Sequence, residues 1–312
     1  MRGAGRPRCG FVHPGRVAPW HPWFDRGMAT IPPAADLPAL VDELAAWQRD
    51  DAPLQLHPGD LGWQQRLGAE PLAASLRTWH LGDALVALGM LDGPVLRIAI
   101  EPRLQVDLAL AQTLTDDLSD VDGALPGADA AIEAPTGAVL HAVLAARGWT
   151  PDEVWQPLRR DLAEPVPPLA DGLRIELVDA ALTEERVAVH RASFDGGSFD
   201  AAAWHAMAAG PAYADARCLL VRDADGTAVA AATVWSAGAG RPGVLEPLGA
   251  HRDHRGRGLG TAIAVASAIV LRDLGASSAL VCTPSTNVRG IATYRSAGFV
   301  DLPERADRRR PR

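Results

Sequence analysis

The sequence contains no lysine among its 30 basic residues, which excludes an enzyme that works through a lysine Schiff base or a lysine nucleophile. Cysteine is also scarce. Cys9, Cys218 and Cys282 lie too far apart for a disulfide framework or a paired-cysteine zinc site, which favours the reducing cytoplasm. No apolar run approaches the roughly 20 residues that cross a bilayer. Because the formal net charge is −8, we also expect no nucleic acid as a partner.

Both ends of the chain are rich in arginine. Residues 1–27 combine arginine with glycine and proline and lack the continuous apolar core of a secretory signal, so we expect a disordered extension. Organised sequence begins only after Met28, which leaves Met1 and Met28 as alternative starts of translation. The run "RADRRRPR" at the C-terminus is basic, and we interpret it as a solvated end.

The order of predicted elements repeats along the chain. The proline-rich stretch "AEPVPPLADG" predicts a domain edge, with one domain over residues 28–165 and another over 171–312. Each half contains strand candidates, a helix, a further strand and a final helix closed by glycine and an aromatic residue. Aligning Gly148 with Gly298 brings the two final helices into register. We therefore expect two related units.

Glycines alternate with arginines in the stretch "HRDHRGRGLG", between a predicted strand and a predicted helix. Successive backbone N–H groups of such a loop converge on an anion beside the positive end of the helix, and glycine lets phosphate oxygens approach. A Walker A loop requires lysine, which the chain lacks. A dinucleotide-binding fingerprint requires a third Gly or Ala where the chain has Thr261 or Ile263. The loop therefore predicts phosphate binding of another type.

Two motifs resemble the signatures of the GNAT N-acetyltransferase superfamily. The pyrophosphate-binding pattern R-x-x-G-x-G is matched at Arg255, Gly258 and Gly260. The downstream pattern N-x-x-A-x-x-x-Y-x-x-x-G-F is matched at Asn287, Tyr294, Gly298 and Phe299. Gly290 replaces the usual alanine, which should affect helix stability rather than chemistry. The resemblance implies an α/β (α+β) fold of two tandem GNAT-like domains, each a mixed, mostly antiparallel twisted sheet flanked by helices, in a layout similar to that of mycothiol synthase.

The resemblance also implies a binding site for acetyl-CoA as the acetyl donor, with no metal. In the family, the strand before the loop splays from its neighbour and its backbone pairs with the pantetheine arm, which here assigns that role to Leu248, Gly249 and Ala250. Gly249 is expected to provide the local irregularity that frees these groups. The other predicted cofactor-binding residues are Arg255, Gly256, Arg257, Gly258, Leu259, Gly260, Thr261 and Asn287.

Two side chains are predicted to carry out the transfer. Tyr294 matches the family tyrosine that protonates the departing CoA sulfur. Glu246 is predicted to accept a proton from the amine, directly or through water, with ordered water, His205, His251 and Tyr213 as alternatives. These residues predict an acetyl-CoA-dependent N-acetyltransferase that acts on an amine by direct transfer. The alternative is a non-catalytic acetyl-CoA or CoA sensor or interaction module.

Further side chains have weaker claims to the site. In the family's acceptor-covering region, the candidate contacts are Ser193, Asp195, Trp204, His205 and Tyr213. Trp204 equally suits the core. Cys282 lies in the apolar strand "ALVCTP" and is expected to be a core residue rather than a nucleophile. The pair His251 and His254 is not expected to bind a metal, because no further ligand cluster lies nearby.

The N-terminal half lacks the residues of both motifs. The stretch "RLQVDLALAQ" has no glycine, so side chains would occupy the space that a pyrophosphate needs. In the alignment of the two halves, Leu144 stands at the place of Tyr294 and Gly137 at that of Asn287. We therefore expect one acetyl-CoA per chain, in the C-terminal half. The N-terminal half is expected to be non-catalytic and to cover the C-terminal sheet or shape the acceptor pocket.

Overall fold

Most elements of the N-terminal half lie where the sequence predicts them. The computed structural model describes residues 28–194 and 198–311, so the predicted extension over residues 1–27 lies outside the described residues. The elements of this half are α1 (Leu37–Ala46), α2 (Pro58–Gln64), α3 (Ala69–Ser75), β1 (Leu76–Leu81), β2 (Ala84–Asp92), β3 (Val95–Ile100), α4 (Leu108–Ser119), β4 (Ala131–Glu133), α5 (Leu140–Ala146) and β5 (Thr150–Asp161). The sequence did not predict α2 or α3, because helices of seven residues show no clear periodicity.

The C-terminal half follows the predicted order of strands and helices. Its elements are β6 (Arg174–Leu177), α6 (Thr183–Ser193), α7 (Ala201–Ala208), β7 (Ala216–Arg222), β8 (Ala228–Trp235), β9 (Gly243–Ala250), α8 (Leu259–Asp273), β10 (Ser278–Pro284), α9 (Val288–Ser296), β11 (Val300–Asp301) and β12 (Arg305–Arg309). Helix α8 is buried along most of its length, because small alanines let it lie close to β8 and β9. Within the described ranges, no helix is long and apolar enough to cross a membrane.

The strands of both halves form one continuous sheet. Eleven of the strands follow the order β1-β2-β3-β4-β12-β5-β10-β9-β8-β7-β6, and the short β11 also pairs with β5. The pairs β3/β4 and β9/β10 are parallel, and the other neighbours are antiparallel. Each half therefore contributes a mixed, mostly antiparallel sheet flanked by helices, as the sequence predicted for the fold class.

The two halves exchange strands at the middle of this sheet. Strand β12, from the C-terminal half, lies between β4 and β5 of the N-terminal half. The second part of β5, from Trp155 to Asp161, in turn pairs with β10. The sequence did not predict this exchange, because β5 contains two prolines and β12 is composed mainly of charged residues.

The arginine-rich C-terminal segment is part of the sheet, so its interpretation as a solvated end is wrong. Arg305 is 6% exposed and forms an ion pair with Glu133 at 2.9 Å. Arg310 is 5% exposed and donates to backbone carbonyls, including that of Leu125 at 2.6 Å. Each guanidinium is buried together with acceptors, which offsets the cost of removing it from water.

The internal repeat is visible in the ends of α5 and α9. The backbone N–H of Trp149 donates to the carbonyl of Leu144 at 3.1 Å, and that of Phe299 donates to Tyr294 at 3.1 Å. The glycines that precede these aromatic residues have φ values of 87° and 83°. Both helices thus end in the same left-handed glycine turn, as the alignment of the halves requires.

Candidate active site

Strand β9 separates from β10 beyond its first residues. The parallel pairing between the two strands ends at Val244 and Leu280. Strand β9 nevertheless remains paired with β8 through Ala250. The backbone from Leu248 to Ala250 therefore has no partner strand on the β10 side within the described sheet. This is the open edge at which the sequence predicts that a pantetheine arm binds.

The irregularity of β9 lies at Glu246 and Pro247. In the ladder with β8, Leu245 pairs with Val234 and Leu248 pairs with Ala232. The two β9 residues between them, Glu246 and Pro247, therefore oppose the single residue Thr233. Such a bulge re-aims side chains and bends the strand. The carbonyl of Glu246 accepts a hydrogen bond from the indole N–H of Trp235 at 2.7 Å. The bulge therefore presents Glu246 at the open edge.

Gly249 is not the source of this irregularity, so that expectation is wrong. It pairs in register with Ala231. A Cβ at Gly249 would lie 2.6 Å from the Cβ of Ser193 and 3.0 Å from the Cε2 of Phe194. Glycine is required here because the end of α6 packs directly on the strand.

The arginine and glycine loop connects β9 to α8. Gly256 and Gly258 have φ values of 79° and 76°, and a Cβ at either position would meet open space. The backbone N–H groups of residues 256–261 donate to no acceptor in the described parts of the chain. Buried Leu259 anchors the loop in the core. The loop is thus an open row of donors at the positive end of a long helix.

The charged side chains of the loop are exposed. Arg255 donates from Nη2 to the carbonyl of Ser193 at 2.9 Å. Arg257 contacts Nδ1 of His254 at 2.9 Å. Thr261 is half-buried in the first turn of α8, and Gly260 lies against Thr293 of α9. The loop therefore sits between the C-terminal end of β9 and the helix that carries Tyr294.

Asn287 caps helix α9. Its Oδ1 accepts from the N–H of Gly290 at 3.0 Å, and its Nδ2 donates to the hydroxyl of Thr283 at 2.8 Å. A Cβ at Gly290 would collide with the Asn287 amide, which explains why this chain has glycine there. The observed role of Asn287 is to fix the helix that carries Tyr294. A contact of Asn287 with the cofactor stays a prediction.

Glu246, Leu248 and Tyr294 line one cavity of about 360 Å³. The other predicted cofactor-binding residues do not line it, and the loop lies beyond the end of β9. Both halves build the wall of the cavity. The residues that the sequence did not predict at this site include His57, Asp60, Arg97, Glu133, Trp155, Arg305 and Asp307.

Helix α2 brings Asp60 to the cavity because it packs on Trp235. A Cβ at Gly59 or Gly62 would overlap the indole, so only glycine allows this contact. The backbone N–H of His57 donates to the carboxylate of Asp60 at 2.6 Å, which closes a capping box. Burial lowers the pKa of His57 to about 4, so its ring stays neutral.

A chain of ion pairs crosses the floor of the cavity. Arg97 lies 2.8 Å from Asp60 and 3.0 Å from Glu133, which in turn pairs with Arg305. Burial opposes ionisation of Glu133, but the two guanidinium groups outweigh it and lower its pKa. Burial raises the pKa of Glu246 to about 8, and the neighbouring Asp60 carboxylate adds to this shift. These groups stand on elements far apart in sequence.

Tyr294 is half-buried on the wall of the cavity. Burial raises the pKa of its hydroxyl to about 12, with a further contribution from Glu246. Cys282 also lines the cavity and its Sγ accepts from Arg305 at 3.6 Å, so it is a wall residue rather than a pure core residue. Burial raises the pKa of the Cys282 thiol, which keeps it protonated and a poor nucleophile.

The candidate acceptor contacts on α6 and α7 lie away from the cavity wall. Trp204 is buried and packs edge-on against Tyr213, and His205 is exposed. Ser193 donates to the carbonyl of Val189 at 2.8 Å. Asp195 lies outside the described residues. Among the described residues, no group of three or more histidine, cysteine, aspartate or glutamate side chains is arranged to hold a metal ion.

In the N-terminal half, side chains occupy the positions that are open in the C-terminal half. The N–H of Leu110, in the first turn of α4, donates to the carboxylate of Asp107 at 2.9 Å. The side chain of Gln55 accepts from the N–H of Ile100, at the end of β3, at 3.1 Å. In this half, side chains thus accept from backbone donors at the start of α4 and the end of β3.

The fold defines a tandem GNAT architecture, and comparisons with known proteins agree. A tandem GNAT protein from the clavulanic acid biosynthesis pathway gives a TM-score of 0.56 at 16% identity, covering 90% of this chain and 97% of that chain. A GNAT-family acetyltransferase from Colwellia psychrerythraea gives a TM-score of 0.56 at 14% identity, covering 90% of this chain and 97% of that chain. A GCN5-related N-acetyltransferase from Sphaerobacter thermophilus gives a TM-score of 0.51 at 19% identity, covering 92% of this chain and 97% of that chain. No curated protein matches the chain.

Residues 179–299 match the family model described as the acetyltransferase (GNAT) family. This range holds the loop, the open edge of β9 and the whole of α9 with its closing glycine turn. The predicted resemblance to the GNAT superfamily is therefore confirmed. The family supports acetyl transfer as the general activity.

Proposed function

We propose that the chain is an acetyl-CoA-dependent N-acetyltransferase that transfers the acetyl group directly to an amine. The observation that carries this proposal is the single cavity lined by Glu246, Leu248 and Tyr294 at the open edge of β9. A group that can accept a proton and a group that can donate one line the same space. General acid and general base catalysis require this proximity.

The residues present fit acetyl-CoA. The free N–H groups of residues 256–261 suit the oxygens of a pyrophosphate, and the exposed Arg255 and Arg257 add positive charge. The unpaired edge from Leu248 to Ala250 offers hydrogen-bonding groups to the amides of a pantetheine arm. When bound, acetyl-CoA supplies an activated thioester carbonyl.

The protein's part in the reaction is to move two protons and to hold the acceptor. Because its pKa is raised to about 8, ionised Glu246 is a stronger base than an ordinary carboxylate and suits removal of a proton from an ammonium group. Tyr294 retains its proton at neutral pH and can deliver it to the departing sulfur. The low-dielectric wall strengthens both interactions.

The test is a thiol-release assay on the full chain with acetyl-CoA and a panel of primary amines. We expect CoA release that depends on both substrates, with mass spectrometry showing an acetylated amine. A sensor or interaction module would bind acetyl-CoA in calorimetry but release no CoA above background. That result would overturn the proposed activity.

A further inference from the structure

Besides Glu246 and Tyr294, the cavity is lined by Asp307, one of its six carboxyl groups. Asp307 lies on β12, lines the cavity and is 4% exposed. Its side chain receives a hydrogen bond from the indole N–H of Trp155 at 3.3 Å. Within the described ranges it forms no ion pair, and its second oxygen has no donor. Burial raises the pKa of Asp307 to about 6, and the charge of Glu133 adds to this shift while Arg305 opposes it.

The cationic side chains of the cavity do not supply the missing charge. Six carboxyl groups and two guanidinium groups line the cavity. Both guanidinium groups, Arg97 and Arg305, form ion pairs with Asp60 or Glu133. Within the described residues, Glu246 and Asp307 therefore line the cavity without an ion pair of their own. A buried carboxylate in this state is stabilised by a cationic ligand.

The surroundings of Asp307 suit an ammonium group. The half-buried indole of Trp155 lines the cavity beside Asp307 and donates its N–H group to that carboxylate. Glu153, two residues before Trp155 on β5, and Asp92 at the end of β2 are exposed on the lining. Their charges attract a cation toward the cavity from solution.

The spacing between the two ends suits an elongated ligand. Glu246 lies on β9 and Asp307 on β12, and two strands, β5 and β10, lie between them in the sheet. Three strand spacings of about 4.8 Å place their backbones at least about 14 Å apart, because β9 has already separated from β10 at Glu246. A single ammonium group cannot contact both carboxylates, whereas two groups joined by several methylenes can.

We propose that the acceptor is an aliphatic diamine or polyamine, with one amine at Glu246 and a second cationic group bound by Asp307 against Trp155. This inference rests on the proposed function and narrows its acceptor. In the step itself, the acceptor nitrogen forms a bond to the acetyl carbonyl carbon and the carbon–sulfur bond breaks. The proton of the amine goes to Glu246, and the thiolate receives one from Tyr294. Asp307 takes no part in these bond changes.

The test compares alkyl monoamines with diamines of the same chain length, from four to eight methylenes, in the CoA-release assay. We expect kcat/KM to be at least 10-fold higher for the best diamine than for its matched monoamine. Asp307→Asn should remove this preference by raising KM for the diamine, with little change for the monoamine. Asp225→Asn, at the exposed turn after β7, is the matched control and should retain the preference.

Equal kcat/KM values for monoamines and diamines, unaffected by Asp307→Asn, would overturn the diamine inference and leave the N-acetyltransferase standing. Absence of turnover with every amine would instead overturn the proposed function. In that case, calorimetric titration of 1,8-diaminooctane into the CoA-saturated full chain still tests the cavity. Binding that Asp307→Asn weakens about 10-fold would support the dication site, and no binding would overturn it.

Discussion

Tyr294 is held protonated by its surroundings, and removal of one oxygen atom tests its role. Tyr294→Phe should lower kcat by about 10- to 100-fold and change KM for acetyl-CoA little, because the hydroxyl is needed mainly as sulfur departs. Steady-state kinetics with saturating amine measure both constants. Burial raises the pKa of Tyr294 to about 12, so the loss should not depend on pH between 6 and 9.

The other tyrosine of the chain provides the control. Tyr213 packs against Trp204 and Trp235 and does not line the cavity. Tyr213→Phe should therefore leave kcat near the parent value. If Tyr294→Phe also retains full kcat when chemistry limits the rate, Tyr294 is not the acid.

Glu246 should impose a pH dependence on the reaction. Asp60, Arg97 and Glu133 face it, and burial with the charge of Asp60 raises its pKa to about 8. The parent kcat/KM should rise with pH and level off above about 8, because the carboxylate forms only as the proton leaves. Glu246→Gln should lower kcat/KM about 100-fold at pH 7. Activity should partly recover at high pH, where the free amine needs no base.

A pH series of kcat/KM checks this prediction. The control is Glu164→Gln, the same substitution at an exposed residue. The control should keep the parent profile. If Glu246→Gln also reproduces the parent profile, the proton leaves through water or another side chain.

The loop before α8 should contribute to the affinity for acetyl-CoA. Gly258→Val introduces a β-branched side chain at φ 76° and fills the space in front of the free N–H groups. We expect the Kd for acetyl-CoA to rise by about 10- to 100-fold. This increase corresponds to the loss of one or two charge-assisted hydrogen bonds. Calorimetric titration measures it.

Gly240→Val is the matched control for this substitution. Gly240 has a φ of 74°, and a Cβ there also meets open space, but it lies in the connection between β8 and β9, far in sequence from the donors. Both variants should lose similar thermal stability, since both place a β-branched residue in the left-handed region. If both also keep the parent affinity, the loop does not bind the pyrophosphate.

The loop and α9 could be predicted because each motif is contiguous in sequence. Arg255, Gly258 and Gly260 lie in one short loop, so their relative positions depend only on a strand before the loop and a helix after it. The cavity residues of the N-terminal half and of β12 could not be predicted in this way. Asp60, Glu133 and Asp307 come from three distant segments, and only strand pairing and the packing of α2 bring them together.

The sequence-based prediction was also wrong for the charge-rich strand β12. Strand β12 has the sequence "RADRR", which by composition resembles a solvated tail. Its register beside β4 and β5 supplies partners that the sequence alone does not place nearby, namely Glu133, Asp129 and Asp152. A buried arginine is acceptable only where such partners exist, so tertiary structure decides its state.

The shared sheet gives the N-terminal half a place in the wall of the cavity, and its own described donors at α4 and β3 are already occupied by side chains. Its helix α2 supplies Asp60 beside Glu246, and its strand β3 supplies Arg97. Strand exchange through β5 and β12 fixes these residues relative to the C-terminal half. This supports the expectation that the N-terminal half shapes the acceptor pocket, which remains a proposal.

The whole chain should bind one acetyl-CoA. Asp107 caps α4 with its own carboxylate, which satisfies a donor and repels phosphate, and Gln55 occupies the N–H at the end of β3. Titration calorimetry of the full chain should give a stoichiometry near one. Gly258→Val shows which half that site belongs to: it should weaken the single binding event about 10- to 100-fold, whereas a site in the N-terminal half would keep the parent affinity. A parent stoichiometry of two, with one equivalent of unchanged affinity left in Gly258→Val, would overturn the division of roles between the halves.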